Sequence, residues 1–248
     1  MQSLFLADLH LGEDTPEILK SFQQFIAYCE KNVEEIEAIY ILGDFFELWI
    51  GDDYQSPAIS LIFSQLRKLG DQNIKTYFMH GNRDFLIGQQ FELLTGFQLI
   101  ADPHLIILDG NNTLLSHGDI FCTDDIAYQQ LRAMFRDPLW QKDFLDKTLE
   151  QRYQMALEAR KQSQAKFQEK TKKQAVEGEY IADVNQAEVE KLMSENKAYT
   201  LIHGHTHRPQ THAFMLQNKA AQRIVLGAWY KQGSFLKYEK GQFENVAL

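Results

Sequence analysis

The chain predicts an α/β protein in which helices cover a β-sheet, and three observations carry that expectation. Short apolar runs rich in β-branched and aromatic residues recur along it: Leu4 to Leu6, Ile39 to Leu42, Thr76 to Met79, Thr113 to Leu115 and Tyr199 to Ile202. They read as buried strands. Segments with apolar residues at helical spacing alternate with them, as in layered α/β folds. Each run then breaks into a polar cluster: Asp8-Leu9-His10, Gly43-Asp44, Gly81-Asn82-Arg83-Asp84, His117-Gly118-Asp119 and Gly204-His205-Thr206-His207. If the five strands lie side by side in one sheet, all five clusters emerge at its carboxyl edge, where open α/β sheets hold ligands.

The elements follow in order. Thr15-Pro16-Glu17 predicts a helix start, with an N-cap and proline at the first position, and Ile18, Phe22, Phe25, Ile26 and Cys29 form its apolar face. After the second strand, a helix from about Ser56 (Ile59, Ile62, Phe63, Leu66) ends near Gly70. A short helix over Gly88 to Leu94 precedes two strands, Leu105 to Leu108 and Thr113 to Ser116, which Asp109-Gly110-Asn111 joins as a hairpin turn. Between about Asp125 and Lys197 the β-type runs cease. Phe135, Leu139, Trp140 and Phe144, then Leu145, Leu149, Tyr153 and Ala156, recur at helical spacing. About half of the Lys and Arg residues lie in this stretch, most of them on a solvated helix surface. It reads as a helical cap, 125–197, inserted into a core of 1–124 and 198–248. Arg223 to Leu226 and Ser234 to Tyr238 complete a second sheet or a sheet edge.

Length and composition set bounds on function. At 248 residues the chain is long enough to bury one large core, as a single α/β domain with an insertion or as two domains. A net charge of −9 and a pI near 5.4 argue against a protein whose affinity rests on neutralising nucleic-acid phosphates. Cys29 and Cys122 have no pairing framework and read as core residues in a reducing compartment. No leader pattern opens the chain, and no segment nears the roughly 20 apolar residues of a bilayer span. The expected location is cytoplasmic.

The clusters carry the chemistry. Two divalent cations about 3.5–4 Å apart clamp a phosphoryl group, polarise its oxygens and supply an activated water for in-line attack. Such a centre needs a bridging carboxylate and a mixed set of oxygen and nitrogen ligands. Asp44, alone after a buried strand and a glycine, is the natural bridge. Asp8 and His10, two apart, reach one metal only if the backbone turns between them. Asn82 offers a carboxamide oxygen, and His117, His205 and His207 offer imidazoles. A donor set without thiolate suits Mn, Fe, Zn or Mg. His80, His104 and His212 fall outside the ordered set and are assigned structural or surface roles.

The order Asp-x-His, Gly-Asp, Gly-Asn-x-Asp, His-Gly-Asp and Gly-His-x-His resembles the calcineurin-like metallophosphoesterase superfamily. Longer stretches resemble its UDP-2,3-diacylglucosamine pyrophosphatase family: Ala7 to Leu11, Tyr40 to Glu47, Trp49 to Asp53, His80 to Leu86, His117 to Asp125, Ile202 to Pro209 and Val225 to Trp229. The resemblance spans nearly the whole chain and is weakest in the cap. It implies a four-layered α/β/β/α sandwich with a helical cap, and hydrolysis of UDP-2,3-diacylglucosamine to UMP and 2,3-diacylglucosamine 1-phosphate in bacterial lipid A synthesis. It implies two metal ions, with Mn2+ first in order of preference. Asp8, His10, Asp44 and His207 would hold one, and Asp44, Asn82, His117 and His205 the other.

Arg83 stands where many superfamily members carry histidine. A guanidinium is no general acid near neutral pH, so its expected work is bidentate stabilisation of phosphate charge. Asn82 and Arg83 are thus the expected catalytic residues, with Asn82, Arg83, Asp125, Ser163, Lys170 and His205 as substrate contacts. Ser163 and Lys170, seven apart, share a helix face, and Lys166 or Lys173 are alternatives to Lys170. A lipid substrate also implies peripheral contact with the cytoplasmic face of a Gram-negative inner membrane, and no protein partner is inferred. The apolar faces of the cap, Trp140 and Phe144 included, would either dip into the membrane interface or pack on the main domain.

Overall fold

The structure, a computed structural model, describes residues 1–12, 15–174 and 183–248, and the side chains of all of these except 162–174. A six-stranded sheet has the order β11-β10-β1-β2-β3-β4, formed by β1 (Gln2–Leu6), β2 (Ile36–Leu42), β3 (Lys75–Met79), β4 (Gln98–Ile100), β10 (Ser234–Glu239) and β11 (Gln242–Ala247). A five-stranded sheet has the order β5-β6-β7-β9-β8, formed by β5 (His104–Leu108), β6 (Asn111–Ser116), β7 (Thr200–His203), β8 (Gln210–Leu216) and β9 (Lys219–Val225). The five cluster-bearing strands therefore do not share one sheet. β1, β2 and β3 run parallel in the first, β6 and β7 parallel in the second.

Strand alternation explains the layering. Leu4, Leu6, Ile39 and Ile41 face α1 (Pro16–Lys31), α2 (Pro57–Gly70) and α3 (Gln89–Thr95), whose Phe22, Phe25, Phe63 and Phe91 fill one core. The intervening Phe5, Ala7, Ala38, Tyr40 and Leu42 face Leu115, Ile202 and Ile224 of the second sheet. Because both faces of these strands are covered, the sequence shows unbroken apolar runs in place of polar alternation. A third core joins Leu114 and Leu201 to Val189 and Met193 of α7 (Gln186–Glu195), completing an α/β/β/α sandwich. α7, which the sequence reading grouped with the cap, is thus the helical layer of the second sheet.

The local signals behave as their chemistry requires. Pro16 opens α1, but the Thr15 hydroxyl bonds the Gly12 backbone instead of capping the helix. Ser56 caps α2, its Oγ accepting from the Ile59 amide at 3.3 Å. Asp109 and Gly110, at φ +46° and +80°, form the tight turn between β5 and β6.

Between β6 and α7 lie α4 (Ile126–Phe135), α5 (Pro138–Leu145) and α6 (Leu149–Gln174). They dock on the strand-end loops. Phe135 stacks on Phe85 with centroids 5.4 Å apart, and Trp140 packs against Phe85, Phe135 and Phe144. Phe144 is buried in the main core. Of the two fates open to Trp140 and Phe144, packing on the main domain is the one observed. The apolar residues left exposed here are others, among them Ile126, Leu131, Met134, Leu139, Leu145, Leu149 and Met155. Among the described residues no helix is long and apolar enough to cross a membrane.

Candidate metal centre

All five clusters converge where the carboxyl ends of the two sheets meet. Asp8 Oδ1 lies 3.4 Å from His207 Nε2, which lies 3.2 Å from His10 Nε2. On the other side, Asn82 Oδ1 is 3.0 Å from His117 Nε2 and 2.9 Å from His205 Nδ1. Asp44 joins the halves, with Oδ1 at 3.7 Å from His117 Nε2. Among the described residues, the groups compact enough to hold an ion are Asp8, His10 and His207, and Asp8, Asp44 and His117, their ligand atoms within 4.8 Å of one another.

The backbone aims these side chains. Asp8, His10, Asp44, His205 and His207 all adopt left-handed φ values, from +50° to +67°. Non-glycine residues rarely do so, and Asp and His are among the exceptions. The turn required for Asp8 and His10 to share a metal is therefore present. Hydrogen bonds hold it in place: Asp8 N to Gly43 O at 3.1 Å, His10 N to Asp44 O at 3.0 Å and His205 N to Asp8 Oδ2 at 2.8 Å.

Asp84 explains the fourth residue of the Gly-Asn-Arg-Asp cluster. Fully buried, its carboxylate accepts from the amides of Gly81 (2.7 Å), Phe45 (2.8 Å), Asp44 (3.3 Å) and Phe46 (3.4 Å), tying the Asp44 loop to the Asn82 loop. Burial and the neighbouring Asp44 push its carboxyl up to about 6, against those backbone donors, which favour the ionised form. A Cβ on Gly81 would strike the Asp44 backbone, so only glycine permits this approach.

The donor set fits divalent metal. Asp8 Oδ1 is buried without a hydrogen-bond partner, and buried carboxylate oxygens are rarely left so. His117 Nδ1–H donates to the Leu42 carbonyl at 2.9 Å, turning Nε2 toward the site. Burial disfavours a charged His117, yet Asp44, Asp8 and Asp119 together push it up to about 9. In the metal-free protein a proton thus sits where a cation would. His205, buried and beside His117, is driven down to about 4 and stays neutral, as a ligand must.

The family model for calcineurin-like phosphoesterase matches residues 1–209. The chain belongs to that family. Relatives of this phosphoesterase named UDP-2,3-diacylglucosamine hydrolase include that of Stenotrophomonas maltophilia strain K279a, 43% identical over 97% of this chain and 96% of the relative. Those of Xanthomonas axonopodis pv. citri (43%, the full length of both) and Serratia proteamaculans (43%, over 99% and 98%) match equally well. An archaeal phosphodiesterase of known structure, 12% identical, superposes over the whole of both chains with a TM-score of 0.50, a likeness of fold.

Other anticipated residues take particular places in this phosphoesterase. Arg83 is 3.7 Å from Asp44 Oδ2 and 2.9 Å from Glu47 Oε1. Asp125 caps α4, accepting from the Tyr128 amide at 3.1 Å. Ser163 and Lys170, with Lys166 and Lys173, fall on α6 where side chains lie outside the described residues. His80 bonds the Ile87 carbonyl at 2.6 Å, a structural role. Cys122 is buried, its thiol pushed up to about 12 by burial, and therefore inert.

Sequence reasoning passed over several groups that shape the site. Asp52 of the Trp49 to Asp53 segment accepts from the Gly88, Gln90 and Phe91 amides at the start of α3. Asp53 pairs with Arg152 of α6, which also donates to the Ile50 carbonyl at 2.6 Å. Gly51, at φ +130°, leaves room for that guanidinium, which a Cβ would strike. Asp119 accepts from Tyr128 (2.7 Å) and Arg132 (2.8 Å) of α4. Asp53 and Asp119 thus anchor the inserted helices and Asp52 the start of α3, and only their unusual density near the clusters hinted at it.

Proposed function

We propose that this phosphoesterase hydrolyses the pyrophosphate bond of UDP-2,3-diacylglucosamine, with water attacking the α phosphate to give UMP and 2,3-diacylglucosamine 1-phosphate. The observation that carries the reading is the convergence of Asp8, His10, Asp44, Asn82, His117, His205 and His207 where the carboxyl ends of the two sheets meet. Near-full-length identity to relatives named for that substrate supports the choice of lipid.

Asp8, His10, Asp44 and His207 would hold one ion, and Asp44, Asn82, His117 and His205 the other. Mn2+ is the preferred ion within a donor set of oxygen and nitrogen. When bound, the pair supplies Lewis acidity and an activated water. The residues do the rest. Asn82 and Arg83 touch the substrate phosphates, and the Arg83 guanidinium offers fixed charge to the departing phosphate, which needs little protonation. Asp125, Ser163, Lys170 and His205 are further substrate contacts in this reading. Residues 125–174 act as the cap, α7 belonging to the core by its packing. The exposed Leu131, Met134 and Leu139 offer a surface for acyl chains and for peripheral contact with the inner face of the membrane.

Purified protein with Mn2+ and UDP-2,3-diacylglucosamine should release UMP. Chelation, or Asp44→Ala, should abolish that release. Rapid turnover of the deacylated sugar nucleotide would instead favour a less specific phosphoesterase.

A further inference from the structure

Glu47 lies outside the ordered clusters, yet three of the site's cationic or ligating groups meet on it. It follows β2 and is pinned by the hydrogen bond from its amide to the Leu11 carbonyl, 2.8 Å. Its side chain is 21% exposed, set at the rim of the centre. Oε2 lies 3.1 Å from His10 Nδ1. That is the opposite ring nitrogen from Nε2, which faces His207. Oε1 accepts from Arg83 Nη1 at 2.9 Å and from Arg160 Nη2, and Arg160 sits on α6 of the inserted helices.

The geometry points to Glu47 as a positioning residue that orients the His10 imidazole for one metal ion and, through Arg160, couples that ion's affinity to the docking of α6. A carboxylate on Nδ1 fixes the tautomer and ring angle of a ligating histidine and raises the basicity of Nε2. Two guanidiniums on the other oxygen keep the carboxylate turned toward His10. Arg160 alone among these partners belongs to the inserted helices, so losing it frees Glu47 without touching a proposed ligand. Linkage is reciprocal, and a metal that favours the ordered Glu47 also favours the docked helix.

The inference rests on the two-metal reading, and titration separates their failures. Metal-free protein is titrated with Mn2+ by calorimetry for wild type, Glu47→Gln, Glu47→Asp and Arg160→Ala, each checked for native thermal unfolding. Wild type should bind two ions. Glu47→Gln should weaken one of the two sites about 10- to 100-fold. Arg160→Ala should weaken the same site by about 5-fold or more, and Glu47→Asp should recover part of the loss. The double variant should bind no worse than Glu47→Gln, since both changes act through one carboxylate. Mn2+ should also slow amide exchange in α6 around Arg160 in wild type but not in Glu47→Gln. Intact wild-type binding with Glu47→Gln unaffected overturns the role of Glu47. An unaffected Arg160→Ala overturns the coupling, and wild type that binds no metal overturns the two-metal reading and this inference with it.

Discussion

Asp8, His10, Asp44, His205 and His207 hold left-handed backbone conformations that an isolated strand end would not keep. Each costs about 1–3 kcal/mol relative to an extended residue, and the surrounding amides and carbonyls fix them. Their identities were legible because polar residues following a buried strand stand out. Their convergence was not, because it depends on φ values that spacing leaves undetermined. Glu47 was harder still to find, since its partner Arg160 is 113 positions away. Two predictions belong at this scale. Asp84→Ala strips the acceptor from four loop amides, so the urea midpoint should fall by the equivalent of about 3 kcal/mol or more. An unchanged midpoint would show that the loops do not depend on it. Arg83→Ala should lower kcat about 10²- to 10³-fold while both metal ions remain bound, and loss of an ion would make Arg83 structural instead.

At the scale of elements, the strands and α1 to α3 matched their apolar periodicity, because each packs one continuous face. The inserted helices were visible as helices, but not their docking. Trp140 and Phe144 carry the same pattern whether a helix faces lipid or protein, and only Phe85 and Phe135 show which. α7 was grouped with these helices for a similar reason, since Val189 and Met193 do not name the surface they cover. The docking of α6 leans on Arg152, which is 3% exposed and paired with Asp53. That bond holds the Asp53 carboxyl below its ordinary 3.8 against the opposing cost of burial. Its contribution is therefore complete above pH 3.8 and is lost as pH falls below it. At neutral pH, Asp53→Ala should raise amide exchange across the first turns of α6, and an unchanged exchange pattern would place the anchor elsewhere. On the exposed face, Leu139→Glu with Met134→Glu should reduce flotation with anionic vesicles, whereas equal flotation would remove this surface from membrane contact.

For the whole molecule, the family resemblance implied the four-layered α/β/β/α sandwich that is observed, whereas the apolar runs alone left open whether the five strands share one sheet. Strands buried on both faces look alike whether they join one sheet or two, so the division of β1 to β3 from β6 and β7 had no local signal. That division matters for function, since it lets two sheets present ligands from opposite sides of one cleft. The core between them should be correspondingly sensitive: Ile202→Ala, fully buried at the interface of the sheets, should cost about 2–5 kcal/mol in denaturant unfolding. Family membership and the convergent ligands together make hydrolysis at the uridylyl phosphorus the central claim. It is tested most directly by turnover of UDP-2,3-diacylglucosamine with Mn2+ in ¹⁸O-labelled water, followed by mass spectrometry of both products. One ¹⁸O is expected in UMP and none in the lipid phosphate. Label in the lipid phosphate, or no UMP at all, would contradict it.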